Sequence, residues 1–296
     1  MFLTAVLPQF VDPDRSHVVG QMLLLGLTCA QLALSCDETP EAAGIYMSFE
    51  QQRVVITGAS RDFGRTLAIR FAQHGAEVFV SSRSLEASRR VAGEIRDLGH
   101  EHVHAFACDL ADPASIRQFA AQVAQCTDRV DVLVNNGARW LEGPDLLSAS
   151  DEDVTDTIAT GATGTVLTVK RLLPLLLASD RPDVVNMISA AGLPAHQRSN
   201  AHDAFYAAKS AQAGFADILS KRLRPQGVRV ISLYPPDFCN PDPLSPQWES
   251  TPRGSGDMLT AHSVAECVFF ALRQPRDCFI KSFHFEQAPD GPAEHR

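Results

Sequence analysis

From residue 53 onward, short runs of apolar and β-branched residues alternate with longer segments of helical periodicity. The predicted strands are RVVITG (53–58), AEVFVSS (76–82), HVHAFACD (102–109), VDVLVNNG (130–137), DVVNMIS (183–189), VRVISLYP (228–235) and CFIKSFHF (278–285). The predicted helices are 64–74, 84–98, 113–126, 151–178, 204–224 and 261–273. Runs that are apolar at successive positions are typical of strands buried on both faces. The alternation therefore predicts an α/β protein, with a doubly wound parallel sheet of these seven strands and helices on both faces.

Composition limits the setting and the partners of such a fold. With 296 residues, 45% of them hydrophobic, the chain can bury a large core in one domain. A net charge of −9 without a long Lys/Arg run argues against a nucleic-acid partner. The seven cysteines form no C-x-x-C pair, which favours a reduced, cytoplasmic location and no metal site.

The first 50 residues do not fit the alternating pattern. Their apolar stretch 18–34 is interrupted by Gln21 and Gln31 and is shorter than the roughly 20 residues of a membrane-spanning helix. Asp12 and Asp14 precede this stretch, where a secretory signal would have basic residues. A membrane location is therefore disfavoured, with 18–34 as a marginal candidate.

The same region sets the predicted domain boundaries. Residues 2–28, FLTAVLPQFVDPDRSHVVGQMLLLGLT, resemble a segment of the LysE/RhtB amino-acid exporters. Met47 stands just before the first convincing strand. We therefore predict an extension at 1–50 that is not part of the natural folded product, one domain at 51–288 and a frayed polar tail at 289–296.

A glycine-containing turn, TGASRDFG (57–64), joins the first strand to the first helix. Such a turn lets the backbone approach a pyrophosphate at a helix N-terminus, although glycine can also serve steric needs alone. The second strand ends near Arg83, where an acidic residue would accept from a ribose hydroxyl. Arg61 and Arg83 instead offer paired donors to a phosphate, which predicts NADP(H), with NAD(H) as the alternative.

Tyr206-Ala-Ala-Lys209 places a phenol and an ammonium three residues apart in a predicted helix. Residues at this spacing share one face, so the two side chains are expected to converge. A nearby ammonium lowers a tyrosine pKa from about 10 toward the range of a general acid/base. Taken alone, the pair also describes a buried ring and a solvated amine.

In this order and at these strand ends, the motifs resemble the short-chain dehydrogenases/reductases. The motifs are TGASRDFG, CDL (108–110), NNGA (135–138), Ser189 and YAAK (206–209), and the resemblance runs from about 53 to at least 235. It implies a Rossmann fold with Ser189, Tyr206 and Lys209 as catalytic residues. It assigns the cofactor to Thr57, Gly58, Ser60, Arg61, Phe63, Gly64, Arg83, Asp109, Leu110, Asn136, Gly137, Tyr206, Lys209 and Pro235.

The resemblance also implies a reaction, hydride transfer between NADPH and a small carbonyl or alcohol. Tyr206 would donate the proton, Lys209 would hold the cofactor ribose, and Ser189 would bind the carbonyl oxygen. A homodimer or homotetramer is implied by the same family. The alternative is a catalytically weak or inactive NADP(H)-binding sensor or interaction protein on the same fold.

Two residues depart from the family pattern in ways that bear on this choice. Asp62 stands where the phosphate turn usually has its second glycine. Its carboxylate would either repel the pyrophosphate, with Arg61 and Arg65 to offset its charge, or cap the following helix, which is the role we favour. Gly161 stands where many members have an asparagine that holds a water. Thr160 or Thr163 is the candidate to replace that asparagine.

Two irregular segments are expected beside the substrate. Seventeen positions separate Ser189 from Tyr206, and His196 and His202 between them are predicted to be surface groups. Residues 237–260 are rich in Pro, Ser and Gly and predict a substrate lid. Trp248 in this lid would either stack on an apolar substrate or pack the lid to the body.

Overall fold

A computed structural model describes residues 48–143, 145–194 and 199–286. By its internal contacts the chain divides between Tyr46 and Met47, and the account below concerns the second unit. Predictions for the apolar stretch 18–34, the exporter-like segment 2–28, His196 and the tail 289–296 lie outside the described residues. Within the described ranges, none of the helices is both long and apolar enough to traverse a bilayer.

Seven parallel strands form one sheet in the order β3-β2-β1-β4-β5-β6-β7. The strands are β1 (Arg53–Thr57), β2 (Glu77–Ser82), β3 (Val103–Ala107), β4 (Val132–Asn135), β5 (Asp183–Met187), β6 (Arg229–Tyr234) and β7 (Ser282–His284). The helices are α1 (Asp62–Gln73), α2 (Leu85–Asp97), α3 (Pro113–Cys126), α4 (Asp151–Ile158), α5 (Gly164–Leu177), α6 (Asp203–Leu223), α7 (Gln247–Ser250) and α8 (Ala261–Arg273). The predicted doubly wound Rossmann fold is confirmed.

The sheet is buried on both faces because successive strand residues enter two different cores. Val54 and Ile56 of β1 pack with α1, α2 and α8, whereas Val55 between them packs with α3, α5 and α6. All three are fully buried. A strand of this kind reads as a continuous apolar run, which is why the pattern in the sequence located it.

The predicted helix 151–178 is not continuous. A turn of π-helix at Ala159–Thr163 separates α4 from α5 and adds one residue to the local helical repeat. Here the backbone lies against α6, since a Cβ built on Gly161 would be 2.8 Å from the Cβ of Ala208. The last predicted strand, 278–285, is also shorter than expected, since β7 pairs with β6 over three residues, Ser282–His284.

A buried charge cluster joins β5, β6 and the chain after α8. Asp183 is 2% exposed and accepts from Arg229 at 2.7 and 2.8 Å and from Arg276 at 2.7 Å. Arg229, 4% exposed, also donates to the carbonyl of Leu272 at 3.0 Å. The Asp183 carboxylate is therefore the counter-charge for a buried guanidinium.

Truncating Asp183 to alanine should lower the free energy of unfolding by about 3–5 kcal/mol, because Arg229 would remain as an uncompensated buried charge. Asp128→Ala is the matched control, since its carboxylate is 84% exposed and pairs with Arg53 at the surface. Urea unfolding followed by circular dichroism measures both variants. Equal, small shifts of the two midpoints would contradict the role given to Asp183.

Candidate functional site

A cleft of about 620 Å³ opens at the carboxyl ends of β1, β2 and β4, where the strand order reverses. Ligands of doubly wound sheets bind at this kind of switch point. Eight of the residues predicted to hold a cofactor line the cleft: Gly58, Ser60, Arg61, Phe63, Arg83, Leu110, Asn136 and Gly137. The structure thus brings together the glycine turn, the end of the second strand and the loop after the fourth.

The turn after β1 is packed so closely that side chains are excluded. Gly58 has φ +64°, and a Cβ on it would be 2.6 Å from the Cα of Gly137. A Cβ on Gly64 would be 2.3 Å from the carbonyl oxygen of Gly58. Thr57 accepts from the backbone N–H of Gly137 at 3.1 Å, and Asn136 donates to the Gly58 carbonyl at 3.2 Å. Thr57 and Gly64 therefore shape the turn and do not line the cleft.

Asp62 has a different role from the predicted helix cap. Arg61 is the N-cap residue of α1, and no side chain caps this terminus. Asp62 has a left-handed backbone with φ +49°, which explains the fit of glycine at this position, and its carboxylate is 80% exposed and 3.4 Å from Arg61. Arg65 does not offset that charge, since it pairs with Glu94 at 2.6 Å and Asp242 at 2.9 Å. The prediction that Asp62 caps the helix is wrong.

Four arginines line the cleft, and one of them, Arg139, is paired with Asp153 and Asp156. Arg61 and Arg83 were predicted, and Arg90 of α2 was missed although it lines the cleft and donates to the Ser60 carbonyl at 3.4 Å. The signal was the Arg89-Arg90 pair in the helix after β2. Only the packing of α2 decides that Arg90 faces the cleft and Arg89 does not.

Cys108, Arg139, Trp140 and Thr160 also line the cleft and were not predicted as cofactor residues. Burial, with a smaller contribution from Asp109, raises the pKa of the Cys108 thiol to about 12, so this group stays protonated. Thr160 accepts from the backbone N–H of Arg139 at 3.1 Å and donates to the carbonyl of a residue one turn earlier at 2.8 Å. The hydroxyl proton of Thr160 is therefore already donated within the helix. Thr163, the other candidate to replace the asparagine, is exposed.

Asp109 and Pro235 do not line the cleft. Asp109 accepts from the Ala111 N–H at 2.9 Å and so folds the turn after β3. The carbonyl of Pro235 accepts from the Ala190 N–H at 2.8 Å, which ties the end of β6 to the turn after β5. Their predicted contacts with a cofactor stay predictions.

Ser189 lies two residues after the end of β5 and has a strained backbone conformation. Its φ of +99° is unusual for a residue with a side chain. Its Oγ accepts from the Ala191 N–H at 3.2 Å and caps the short helical turn Ala190–Gly192. This bond leaves the hydroxyl proton of Ser189 available for another acceptor.

Lys209 lies 4% exposed in α6 and is held from two sides. Its Nζ donates to the Met187 carbonyl at 2.8 Å and to Gln212 Oε1 at 3.0 Å. Burial lowers the pKa of this amine to about 7. The aromatic ring that faces it belongs to Phe205, with Nζ 5.5 Å from the ring centroid.

Tyr206 has a separate partner. Its hydroxyl donates to the Ser199 carbonyl at 3.4 Å, and the convergence predicted for Tyr206 and Lys209 is not found among the described contacts. On an α-helix both the i+3 and i+4 neighbours share a face. Here the i+4 pair, Phe205 and Lys209, meets, and Trp140 packs edge-on against Phe205 with centroids 4.9 Å apart.

His202 was predicted to be a surface group, and this prediction is wrong because the residue is fully buried. It is the N-cap of α6, and its Nδ1 accepts from the Ala204 N–H at 3.1 Å. Its backbone N–H donates to the Leu141 carbonyl at 2.9 Å. His202 therefore connects the helix that holds Lys209 to the loop after β4.

The predicted lid, 237–260, is attached to α1 and α8. Phe238 packs edge-on against Phe63 with centroids 5.2 Å apart. Trp248 is 3% exposed and stacks on His262 with centroids 3.6 Å apart. Of the two roles considered for Trp248, the structure supports packing of this segment to the body.

Comparison with known proteins agrees with the fold and the motif order. The family model for short chain dehydrogenase matches residues 52–241, so the chain belongs to the short-chain dehydrogenase family. A bovine (Bos taurus) protein, 3-oxoacyl-[acyl-carrier-protein] reductase, is 29% identical over 227 residues, covering 74% of this chain and 90% of that protein. A Mycobacterium tuberculosis protein described as an uncharacterized oxidoreductase is 32% identical over 222 residues, covering 71% of this chain and 82% of that protein.

Among solved structures, a metagenomic short-chain oxidoreductase in complex with NADP superposes with a TM-score of 0.67. It is 26% identical, and the superposition covers 79% of this chain and 96% of that one. The parallel sheet with flanking helices is therefore shared with an experimentally determined member of the family.

Replacing Gly161 by alanine should lower the free energy of unfolding by about 1–3 kcal/mol, because the new methyl overlaps Ala208 across the two helices. Gly93→Ala is the control, since a Cβ on this α2 residue meets nothing within 4 Å and alanine favours a helix. Thermal unfolding by calorimetry compares the two. A second change, Ala208→Gly, should recover part of the loss, and failure to do so would exclude the overlap as its cause.

Proposed function

We propose that this chain is an NADP(H)-dependent oxidoreductase that transfers hydride between the nicotinamide and a small or medium-sized carbonyl or alcohol substrate. The observation that supports this best is the cleft at the sheet's switch point, with Arg61, Arg83 and Arg90 along it. β2 ends at Ser82, and Arg83 follows it where an acidic residue would favour the unphosphorylated cofactor. The family and the related NADP complex point the same way.

The residues present fit this cofactor. The contact between Gly58 and Gly137 leaves no room for side chains, so a pyrophosphate can meet the backbone at the start of α1. The guanidinium groups of Arg61, Arg83 and Arg90 would offer planar paired donors to the 2′-phosphate. Asp62 lies beside this position, but its carboxylate is paired with Arg61.

When bound, NADP(H) supplies the hydride. Ser189 retains its hydroxyl proton, which suits it to donate to a carbonyl oxygen and fix its position. Lys209, held at two acceptors, would hold the cofactor ribose. Tyr206 would donate the proton after its hydroxyl leaves the Ser199 carbonyl, a 3.4 Å hydrogen bond whose loss costs about 1 kcal/mol.

One observation favours a second candidate, an NADP(H)-binding protein with weak or no turnover. Lys209 faces the ring of Phe205, which has no proton to give, and the hydroxyl of Tyr206 is bound elsewhere. If Tyr206 does not reorient, the proton needed by an alkoxide has no phenol donor. This candidate would retain the cleft as a sensor of NADP(H) or as a docking site controlled by it.

We also propose a cytoplasmic homodimer or homotetramer. Exposed apolar side chains on α5 and α6 support self-association: Val166 is 38%, Leu177 is 42% and Ile218 is 47% exposed. The five cysteines in the described ranges are all free thiols, which suits a reducing compartment.

Arg83→Ser should weaken NADPH binding about 10- to 100-fold and leave NADH binding unchanged, because it removes charge-assisted bonds to the 2′-phosphate alone. Arg89→Ser is the matched control, one arginine on α2 that does not line the cleft. Quenching of protein fluorescence by each nucleotide gives the dissociation constants. Equal affinities of the unaltered protein for NADPH and NADH would contradict the cofactor assignment.

The two candidate functions predict different results for substitutions at the adjacent residues Phe205 and Tyr206. If Tyr206 is the proton donor, Tyr206→Phe should lower turnover of aldehydes, ketones or quinones by about 10²- to 10⁴-fold with NADPH affinity intact. If no phenol serves, the unaltered protein should bind NADPH and turn over little, and Phe205→Tyr should raise the rate by placing a phenol opposite Lys209. NADPH oxidation at 340 nm follows both. Full activity in Tyr206→Phe would exclude Tyr206 as the donor.

A further inference from the structure

Behind Lys209 lies a buried chain of three hydrogen bonds. Lys209 Nζ donates to Gln212 Oε1 at 3.0 Å, and Gln212 Nε2 donates to Thr165 Oγ1 at 2.7 Å. Thr165 Oγ1 donates to the Gly161 carbonyl at 2.8 Å. Gln212 is 1% and Thr165 is 2% exposed. The chain thus links α6 to the π turn through side chains that exclude water.

The direction of these bonds fixes the orientation of the Gln212 amide. The one hydroxyl proton of Thr165 is donated to Gly161, so Thr165 can only accept from its other neighbour. The amide nitrogen must therefore point toward Thr165 and the amide oxygen toward Lys209. A charged Lys209, which can only donate, requires the same orientation, and Thr165 maintains it when the amine is neutral and could also accept.

An amide oxygen differs from a carboxylate in what it does to a buried amine. Gln212 Oε1 and the Met187 carbonyl are neutral acceptors, to which both an ammonium and a neutral amine can donate. A carboxylate in the same place would favour the charged form strongly. Lys209 can therefore keep one position in both protonation states.

The charged and titratable groups of the surrounding elements are engaged elsewhere. Asp183 of β5 pairs with Arg229 of β6, and Tyr234 of β6 stacks on His284. Asp153 and Asp156 of α4 pair with Arg139, while Asp151, Glu152 and, on α6, Asp203 are exposed. Tyr206 has its own partner at Ser199. Gln212 is therefore the side chain that most directly affects the position and protonation of the Lys209 amine.

We propose that Gln212, oriented by Thr165, is a positioning residue that holds the Lys209 amine at the site while allowing it to gain or lose a proton. The inference rests on the proposed function only in that Lys209 would act there on NADP(H). The positioning itself concerns this chain alone and can be tested without turnover.

The sequence contains four lysines, at 170, 209, 221 and 281, so lysine labelled with ¹³C at Cε gives few resonances from the full chain. The resonance missing from Lys209→Met identifies Lys209. Its shift is followed against pH in the unaltered protein and in four variants. Gln212→Glu and Gln212→Met change the acceptor, Thr165→Val removes the link that orients it, and Ser220→Ala is the control. Ser220 is buried on the same helix, and its hydroxyl has no hydrogen-bond partner within 48–143, 145–194 and 199–286.

Gln212→Glu should raise the titration midpoint of Lys209 by about 1–3 pH units. Gln212→Met and Thr165→Val should lower it, because each weakens the acceptor that stabilises the charged amine. Ser220→Ala should leave it unchanged. If Gln212→Met fails to fold, Gln212→Glu and Thr165→Val still test the proposal. An unchanged midpoint in Gln212→Glu, or shifts equal to that of Ser220→Ala, would overturn it.

A fluorescence titration with NADPH accompanies these spectra. Gln212→Met should weaken NADPH binding about tenfold, and Gln212→Glu should retain most of it because its carboxylate still holds the amine. If the unaltered protein does not bind NADPH at all, the proposed function fails, while the shifts of the Lys209 resonance still decide the role of Gln212.

Discussion

When helices cover both faces of a parallel sheet, the ends of its strands are where a ligand can bind. Here the layers formed by α1, α2 and α8 and by α3, α5 and α6 close both faces of the sheet, so most strand residues are apolar and the charged pair Asp183–Arg229 is buried within it. The glycine-containing turns that a ligand can reach therefore lie at the strand ends. The cleft is a product of this constraint, because the turns after β1, β2 and β4 meet at the point where the strand order reverses.

The same constraint explains why so much of the fold could be predicted. Most of the buried strands give short runs rich in apolar and β-branched residues, and the crossover helices have their own period. The predictions that were wrong concern features that depend on contacts between residues distant in the sequence. Gly161 and Gly164 fall within the predicted helix 151–178, but glycine alone does not mark a π turn. Only the approach of Ala208 to Gly161 shows why the backbone is altered at Ala159–Thr163.

The site was predictable to the extent that it consists of turns. A glycine turn after one strand and an arginine at the end of the next are visible in the local sequence, and most of the residues predicted from them line the cleft. The direction in which a side chain points from a helix was harder to predict from the sequence. The sequence places both Phe205 and Tyr206 within one turn of Lys209, and the two differ by about 100° in direction around the axis. Arg89 and Arg90 present the same ambiguity on α2. In both cases the burial of one side of the helix decides, and that depends on the whole fold.

The π turn has a consequence for how this chain can change in length. It holds one residue more than an α-helical turn, so losing a residue between 159 and 163 would let α4 and α5 join as one regular helix. Because a π turn and an α-helical turn each complete one rotation about the axis, the two halves would keep nearly the same faces after this loss. Asp153 and Asp156, which bind Arg139 in the wall of the cleft, lie before the turn, whereas Thr165 lies after it. A one-residue deletion at this turn should therefore leave the wall of the cleft and the lysine behind it in register, whereas the same deletion within α4 or α5 would turn one half by about 100° and separate them.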